Sequence, residues 1–158
     1  MEGGVHPVRL DAERSVGGTR GARALARFLR FAIGAILLAT AVGKLLDIPG
    51  FARVLGTYNA FVPGALVPIA VAVPLAELAL AFWLFSGRNV AASALTSAAM
   101  HALYAAWSAV SVLRGLKLPN CGCFGVFLVR PLGWSTALED LVLVGASLGL
   151  WVLVRRRA

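Results

Sequence analysis

Four long stretches of the chain are almost free of charge, and the polar residues collect between them. They cover residues 28–46, 64–85, 90–113 and 136–154. Each comes close to or exceeds the roughly 20 residues a helix needs to cross the hydrocarbon core of a bilayer. Lipid gives a backbone no hydrogen-bond partners, so such stretches fold as helices rather than open strands. The pattern therefore predicts an all-α protein, an integral membrane four-helix transmembrane bundle occupying residues 28–154. Ala, Gly and Ser within the stretches suit close helix packing. Pro68 and Pro74 each remove a backbone donor inside the second stretch and predict a bend there. The intervening segments, residues 47–63 and 114–135, read as loops too small to bury a core of their own.

Composition agrees with this picture. The chain is 59% hydrophobic and 14% charged, whereas soluble domains are nearer half apolar and about a quarter charged. A net charge of +8 could suggest nucleic acid, but the arginines gather at the ends of apolar runs and form no basic face. No nucleic-acid partner is expected, and the charges read as topology signals.

Residues 1–27 mix glycine with arginine and predict a disordered basic tail; residues 155–158 form a second basic end. A signal peptide is the competing reading of the start. The run from Phe28 to Leu46 is longer than an h-region, however, and Lys44-Leu45-Leu46-Asp47 offers no small-x-small cleavage pattern. With the amino terminus inside, that side receives Arg9, Arg14, Arg20, Arg23, Arg27, Arg30, Arg88, Arg155, Arg156 and Arg157. The other side receives Lys44, Arg53, Arg114, Lys117 and Arg130. This bias predicts a multi-pass protein of the cell membrane with both termini cytoplasmic and residues 114–135 extracytoplasmic.

The chain has two cysteines, both in the run Asn120-Cys121-Gly122-Cys123-Phe124-Gly125. Outside the reducing interior thiols can be oxidised and disulfides persist. Gly122 permits backbone angles that bring the two thiols together. A ring this short departs from ordinary disulfide geometry, and strain makes a bridge easier to reduce. Arg114 and Lys117 precede the pair, and a nearby positive charge favours thiolate, the attacking form. Three readings stay open on these residues alone: thiol-disulfide exchange, a static bridge or inert thiols, and a metal such as copper held by the two sulfurs. Ligands for a metal are scarce, since His6 lies in the tail and His101 deep in the third stretch, and no metal site is predicted.

Polar residues inside the apolar stretches are the other source of chemistry. A carboxylate at membrane depth is costly and should face a partner in the bundle; for Glu77 the residue at similar depth is His101. Their pairing is read either as a packing hydrogen bond or as a place for proton handling or contact with a membrane quinone. Lys44 and Asp47, with Glu139 and Asp140, can form an outer polar cluster beside the cysteine loop. The simpler alternative is a snorkelling lysine and carboxylates at a helix amino end. Tyr58, Trp134 and Trp151 read as interfacial anchors, and Phe124 as an anchor of the loop.

Taken together these residues resemble the MauE family of methylamine-utilisation membrane proteins, within the wider DoxX-like group. The matching pieces are Gly43-Lys44-Leu45-x-Asp47, Phe51 with Leu55 and Tyr58, Pro74-x-x-Glu77, Arg114-Gly115, and Cys121-Gly122-Cys123-Phe124-Gly125. The resemblance implies a four-helix membrane protein associated with electron transfer or disulfide formation. In the MauE case it implies maturation of methylamine dehydrogenase together with a thioredoxin-like companion. The redox role is carried over onto Cys121 and Cys123 as the reacting pair, with Lys44, Glu77, His101 and Arg114 as accessory residues. The chain departs from the family pattern in its long basic start and in Glu139-Asp140, where a basic residue is expected. The expected function is a membrane thiol-disulfide redox component whose partners are a thioredoxin-like protein, an exported disulfide-containing protein and the lipid bilayer. No bound cofactor is predicted, and a membrane quinone is the candidate electron acceptor. The rival reading is a non-catalytic DoxX-like subunit that anchors or stabilises a redox enzyme complex.

Overall fold

A computed structural model of the chain describes residues 20–156 in full and residues 8–19 as helix backbone only. Among the described residues there are five helices and no strand: α1 (Val8–Leu45), α2 (Ile48–Thr57), α3 (Pro63–Ser86), α4 (Val90–Leu113) and α5 (Trp134–Arg155). The all-helical expectation holds, and each of the four apolar stretches is a helix. The basic tail expected over residues 1–27 falls mostly outside the fully described residues; residues 20–27 carry the helix of α1.

Among the described residues three helices are long and apolar enough to cross a membrane: residues Arg20–Leu45 of α1, all of α3, and all of α5. α4 has the same 24-residue length as α3 but is not one of the three. Its sequence includes Ser93, Thr96, Ser97, His101, Ser108 and Ser111, and five of these six, all but Thr96, are buried within the bundle. Hydropathy therefore understates how well α4 is sheltered. Ser97 Oγ meets Ser147 Oγ of α5 at 3.0 Å, and Ser111 Oγ donates to the Trp107 carbonyl at 2.7 Å. The hydroxyls are thus paired where leaving them bare would be costly.

α1 packs along α3, α4 packs along α5, and α1 also touches α5. The central core joins Ile33 and Leu37 of α1, Leu80 and Leu84 of α3, Ala94 of α4 and Leu150 of α5. α3 runs through both internal prolines without interruption.

The segment 47–63, read as a loop, contains α2. Asp47 caps it, its Oδ1 accepting from the Gly50 amide at 2.8 Å, with a proline in the first turn. Both are ordinary signals of a helix start. Phe51 and Ala52 on α2 close against Ala70 of α3, with Leu55 and Leu66 alongside. Tertiary packing thus stabilises a helix of 10 residues, a length that is marginal in isolation.

Residues 114–133 fold back over the end of the bundle. Cys121 N donates to Arg130 O at 2.7 Å and Leu132 N to Leu118 O at 3.0 Å. The Asn120 side chain brackets the turn, its Oδ1 accepting from Gly122 N at 2.9 Å and its Nδ2 donating to Gly125 O at 3.0 Å. Gly122 and Gly125 have φ of 75° and 68°, the left-handed region that side chains resist. Gly125 also rests directly on α1. A Cβ there would collide with the Gly43 carbonyl oxygen, and a Cβ at Gly43 would lie 2.6 Å from the Phe124 carbonyl oxygen. Backbone meets backbone at this point, so only glycine fits on either side.

Candidate functional site

The turn held by Asn120 presents both thiols as free cysteines, Cys121 buried and Cys123 partly exposed. The Cys123 amide donates to Cys121 Sγ at 3.3 Å. The pair is electrostatically unequal. The Cys123 thiol donates to the Cys121 sulfur, lowering the Cys121 pKa to about 6 against the opposing effect of burial; the Cys123 amide and the Arg130 charge lower it further. The same hydrogen bond, followed by burial and the neighbouring thiolate, pushes Cys123 upward. The direction is set by geometry: groups of Cys123 donate towards the Cys121 sulfur and favour its thiolate, the attacking form.

Behind the turn, Tyr58 is 2% exposed and its hydroxyl donates to the Cys121 carbonyl at 2.8 Å. Burial pushes the Tyr58 phenol upward, so it stays a donor. Its ring lies 5.5 Å from that of Trp107. The sequence reading of Tyr58 as an interfacial anchor is corrected here: it is a buried support under the cysteine turn.

Arg114 and Lys117, expected to favour the thiolate, are both exposed, with Arg114 capping the end of α4. The cation acting on Cys121 is Arg130, which follows the pair in sequence and returns to it through the Cys121 N–H to Arg130 O bond. Its guanidinium forks onto Glu139, Nη1 to Oε2 at 2.7 Å and Nη2 to Oε1. Glu139 thus positions the arginine, which gives a local reason for the acidic residue at that place. Replacing Arg130 with alanine should move the rise in Cys121 alkylation to higher pH. In the parent protein the rate climbs as pH passes about 6, where thiol gives way to thiolate; without the guanidinium the same climb starts later. A pH–rate profile with iodoacetamide, read by mass spectrometry of the Cys121 peptide, checks this. An unshifted profile would remove Arg130 from the site.

The pair borders a cleft of about 680 Å³ that runs from the cysteine turn into the bundle. Its inner wall carries Lys44 of α1, Glu77 of α3 and Tyr104 of α4. Lys44 is 5% exposed and Glu77 0%. Lys44 Nζ donates to Glu77 Oε1 at 2.6 Å and Tyr104 OH donates to the same oxygen at 2.8 Å. Lys44 therefore does not snorkel. It turns inward and forms the partner that the buried carboxylate requires.

The pairing expected between Glu77 and His101 is replaced by this cluster. His101 Nδ1 instead faces back along its own helix, 2.9 Å from Ser97 O and 3.3 Å from Ser97 Oγ. Depth along α4 pointed to the correct region. The helical face did not: Tyr104, three residues further on, is the one that reaches Glu77. Tyr104 had not been singled out, although a tyrosine three residues from a candidate partner on a buried face is a signal that could have found it. Asp47 caps α2 and leaves the outer cluster, while Asp140 lines the cleft with His101. Among the described residues no three of His, Cys, Asp and Glu gather in a way that could hold a metal ion.

Comparison with known proteins gives these residues a context. Two curated relatives are each 30% identical to the chain. The methylamine utilization protein MauE of Paracoccus denitrificans matches over 122 residues, 77% of this chain and 66% of that protein. The methylamine utilization protein MauE of Paracoccus versutus matches over 126 residues, 80% of this chain and 68% of that protein. The chain therefore spans about two thirds of the length of these relatives. No solved structure matches it. Residues 22–153, which take in all five helices' described cores and the whole cysteine turn, match the family described as methylamine utilisation protein MauE; the chain belongs to the MauE family.

Proposed function

We propose that the protein is a membrane thiol-disulfide redox component that supports disulfide formation in an exported protein, with methylamine dehydrogenase as the substrate that family membership suggests. A thioredoxin-like protein is the immediate partner. The observation that carries this reading is the unequal pair: two free cysteines, two residues apart at the mouth of a cleft, with the Cys123 amide donating to the Cys121 sulfur.

In its oxidised form the pair carries an S–S bond. A partner thiolate attacks the Cys123 sulfur, on the more exposed residue of the two, a partner–Cys123 bond forms, and the Cys121–Cys123 bond breaks with its electron pair on Cys121. A low thiol pKa makes a good leaving group, which suits Cys121 to this part. The partner's second thiolate then displaces Cys123, which leaves with the electrons and takes up a proton. The partner ends oxidised by two electrons and the pair reduced by two.

For the substrate to be an exported protein, the turn has to face outward. The proposal thus includes a four-crossing, DoxX-like arrangement with α4 as a span and both termini cytoplasmic, as the distribution of Lys and Arg favours. In intact cells treated with a mild reductant, a membrane-impermeant maleimide should label Cys123. Acid quenching without the reductant should reveal a fraction of the pair oxidised. Labelling that begins only after the membrane is breached, or a pair that is never oxidised, would overturn the reading in favour of a non-catalytic membrane subunit.

A further inference from the structure

We propose that the cleft is a quinone site. An isoprenoid quinone would seat its head group between the Cys121/Cys123 pair and the Lys44–Glu77–Tyr104 cluster, and would accept the two electrons the pair gains from its partner. The inference rests on the thiol-exchange reading of that pair and names the acceptor that reading requires.

Electron accounting is the first support. Each disulfide passed on leaves Cys121 and Cys123 reduced, and the chain has no other cysteine through which those electrons could travel. A two-electron acceptor must therefore reach the pair itself.

The shape and surroundings of the cleft are the second. Its volume of about 680 Å³ lies within the range of roughly 300–1,000 Å³ found for small-molecule sites. Leu103 and Val142 line it and are 66% and 70% exposed. Both lie within helices rather than at their ends, so the cleft opens on the apolar flank of the bundle. A ligand with a hydrocarbon tail can enter there from lipid.

The third support is the polar chemistry at the inner wall. Glu77 Oε2 is buried and has no hydrogen-bond partner, an arrangement costly enough to call for an explanation. Lys44 carries three N–H donors, and Glu77 Oε1 takes one. The rings of Phe51 and Tyr104, which also line the cleft, are each centred 5.8 Å from Lys44 Nζ, so aromatic surface flanks the ammonium. A quinone carbonyl can accept from the ammonium, and the unpartnered Glu77 Oε2 leaves acceptor capacity beside it for the hydroxyl of the reduced form once the side chain turns to meet it.

The step balances as follows. The Cys121 thiolate adds to the quinone ring, forming an S–C bond, and a ring oxygen takes a proton from Lys44. The Cys123 sulfur then attacks Cys121 sulfur as its proton passes to the second ring oxygen. The S–S bond forms, the S–C bond breaks, and its electron pair leaves with the ring. The pair is oxidised by two electrons, the quinone leaves as quinol, and water restores the proton to Lys44.

The test uses the full chain, purified in detergent, fully reduced and kept free of oxygen. One portion receives decylubiquinone and another receives glutathione disulfide. The expected result is one quinol formed per cysteine pair, with oxidation of both thiols, and no quinol from Cys121→Ser or Cys123→Ser. Val73 also lines the cleft, one turn of α3 from Glu77, and Val73→Phe, which adds bulk there, should raise the apparent KM for decylubiquinone about tenfold while leaving the rate with glutathione disulfide unchanged. Exchange with glutathione disulfide but no quinol would overturn the quinone site and leave the exchange reading intact. Quinol formation that ignores Val73→Phe would also overturn the site. Failure with both reagents would sink the exchange reading itself.

Discussion

Serine at either cysteine should abolish disulfide transfer, with a loss on the order of a thousandfold or more, as follows when a reacting group is removed from a catalytic unit. The two variants should nevertheless differ. Cys121→Ser keeps the more exposed residue of the two, so in membranes it should accumulate a disulfide-linked adduct with its partner through Cys123. Cys123→Ser keeps only Cys121, the buried residue of the two, and should capture little. It also loses the thiol that donates to Cys121, so its remaining thiolate should form at higher pH than in the parent protein. Non-reducing gels and mass spectrometry of the linked peptides separate these outcomes. Equal capture by both variants would contradict the division of labour, and full activity in both would contradict exchange altogether.

The second large effect concerns Lys44 and Glu77. Removing one partner of a buried ion pair leaves a charge without compensation and costs about 3–5 kcal/mol. Lys44→Met and Glu77→Leu should each lower the thermal unfolding midpoint in detergent and the yield of folded protein. The double variant Lys44→Met/Glu77→Leu removes both charges and should regain much of the loss, since apolar replacement of a whole buried pair is often neutral. Tyr104→Phe, which deletes one hydrogen bond to Glu77, should cost nearer 1 kcal/mol. A double variant as unstable as either single would mean that the two charges do not compensate each other. If the cluster serves a quinone, the double variant should fold yet form no quinol.

These effects also show what the sequence could and could not convey. The helices α3, α4 and α5 begin and end within two residues of the boundaries their apolar runs suggest, because lipid and backbone hydrogen bonding leave such runs little choice. The cysteine turn was equally visible as a motif. α2 was hidden because a capped helix of 10 residues has too few turns to display a clear period, although Asp47 and Pro49 marked its start. The partner of Glu77 was missed for a geometric reason. Depth along a helix follows from counting residues, whereas the facing side depends on how the helices are rotated against each other, and that emerges only from packing. Lys44 was misjudged because a lysine near a helix end has two satisfactory destinations, water or a buried carboxylate. Arg130 is harder to find because six residues of turn separate it from Cys123 in sequence, and only the fold-back of the loop brings its charge to the sulfur.

The bare contact between Gly125 and Gly43 leaves no side chain to yield between the cysteine turn and α1. Pressure on the turn from a visiting protein would therefore pass straight into the end of α1, where Lys44 is the very next residue. The sulfur-bearing turn and the Lys44 ammonium thus share a single backbone junction.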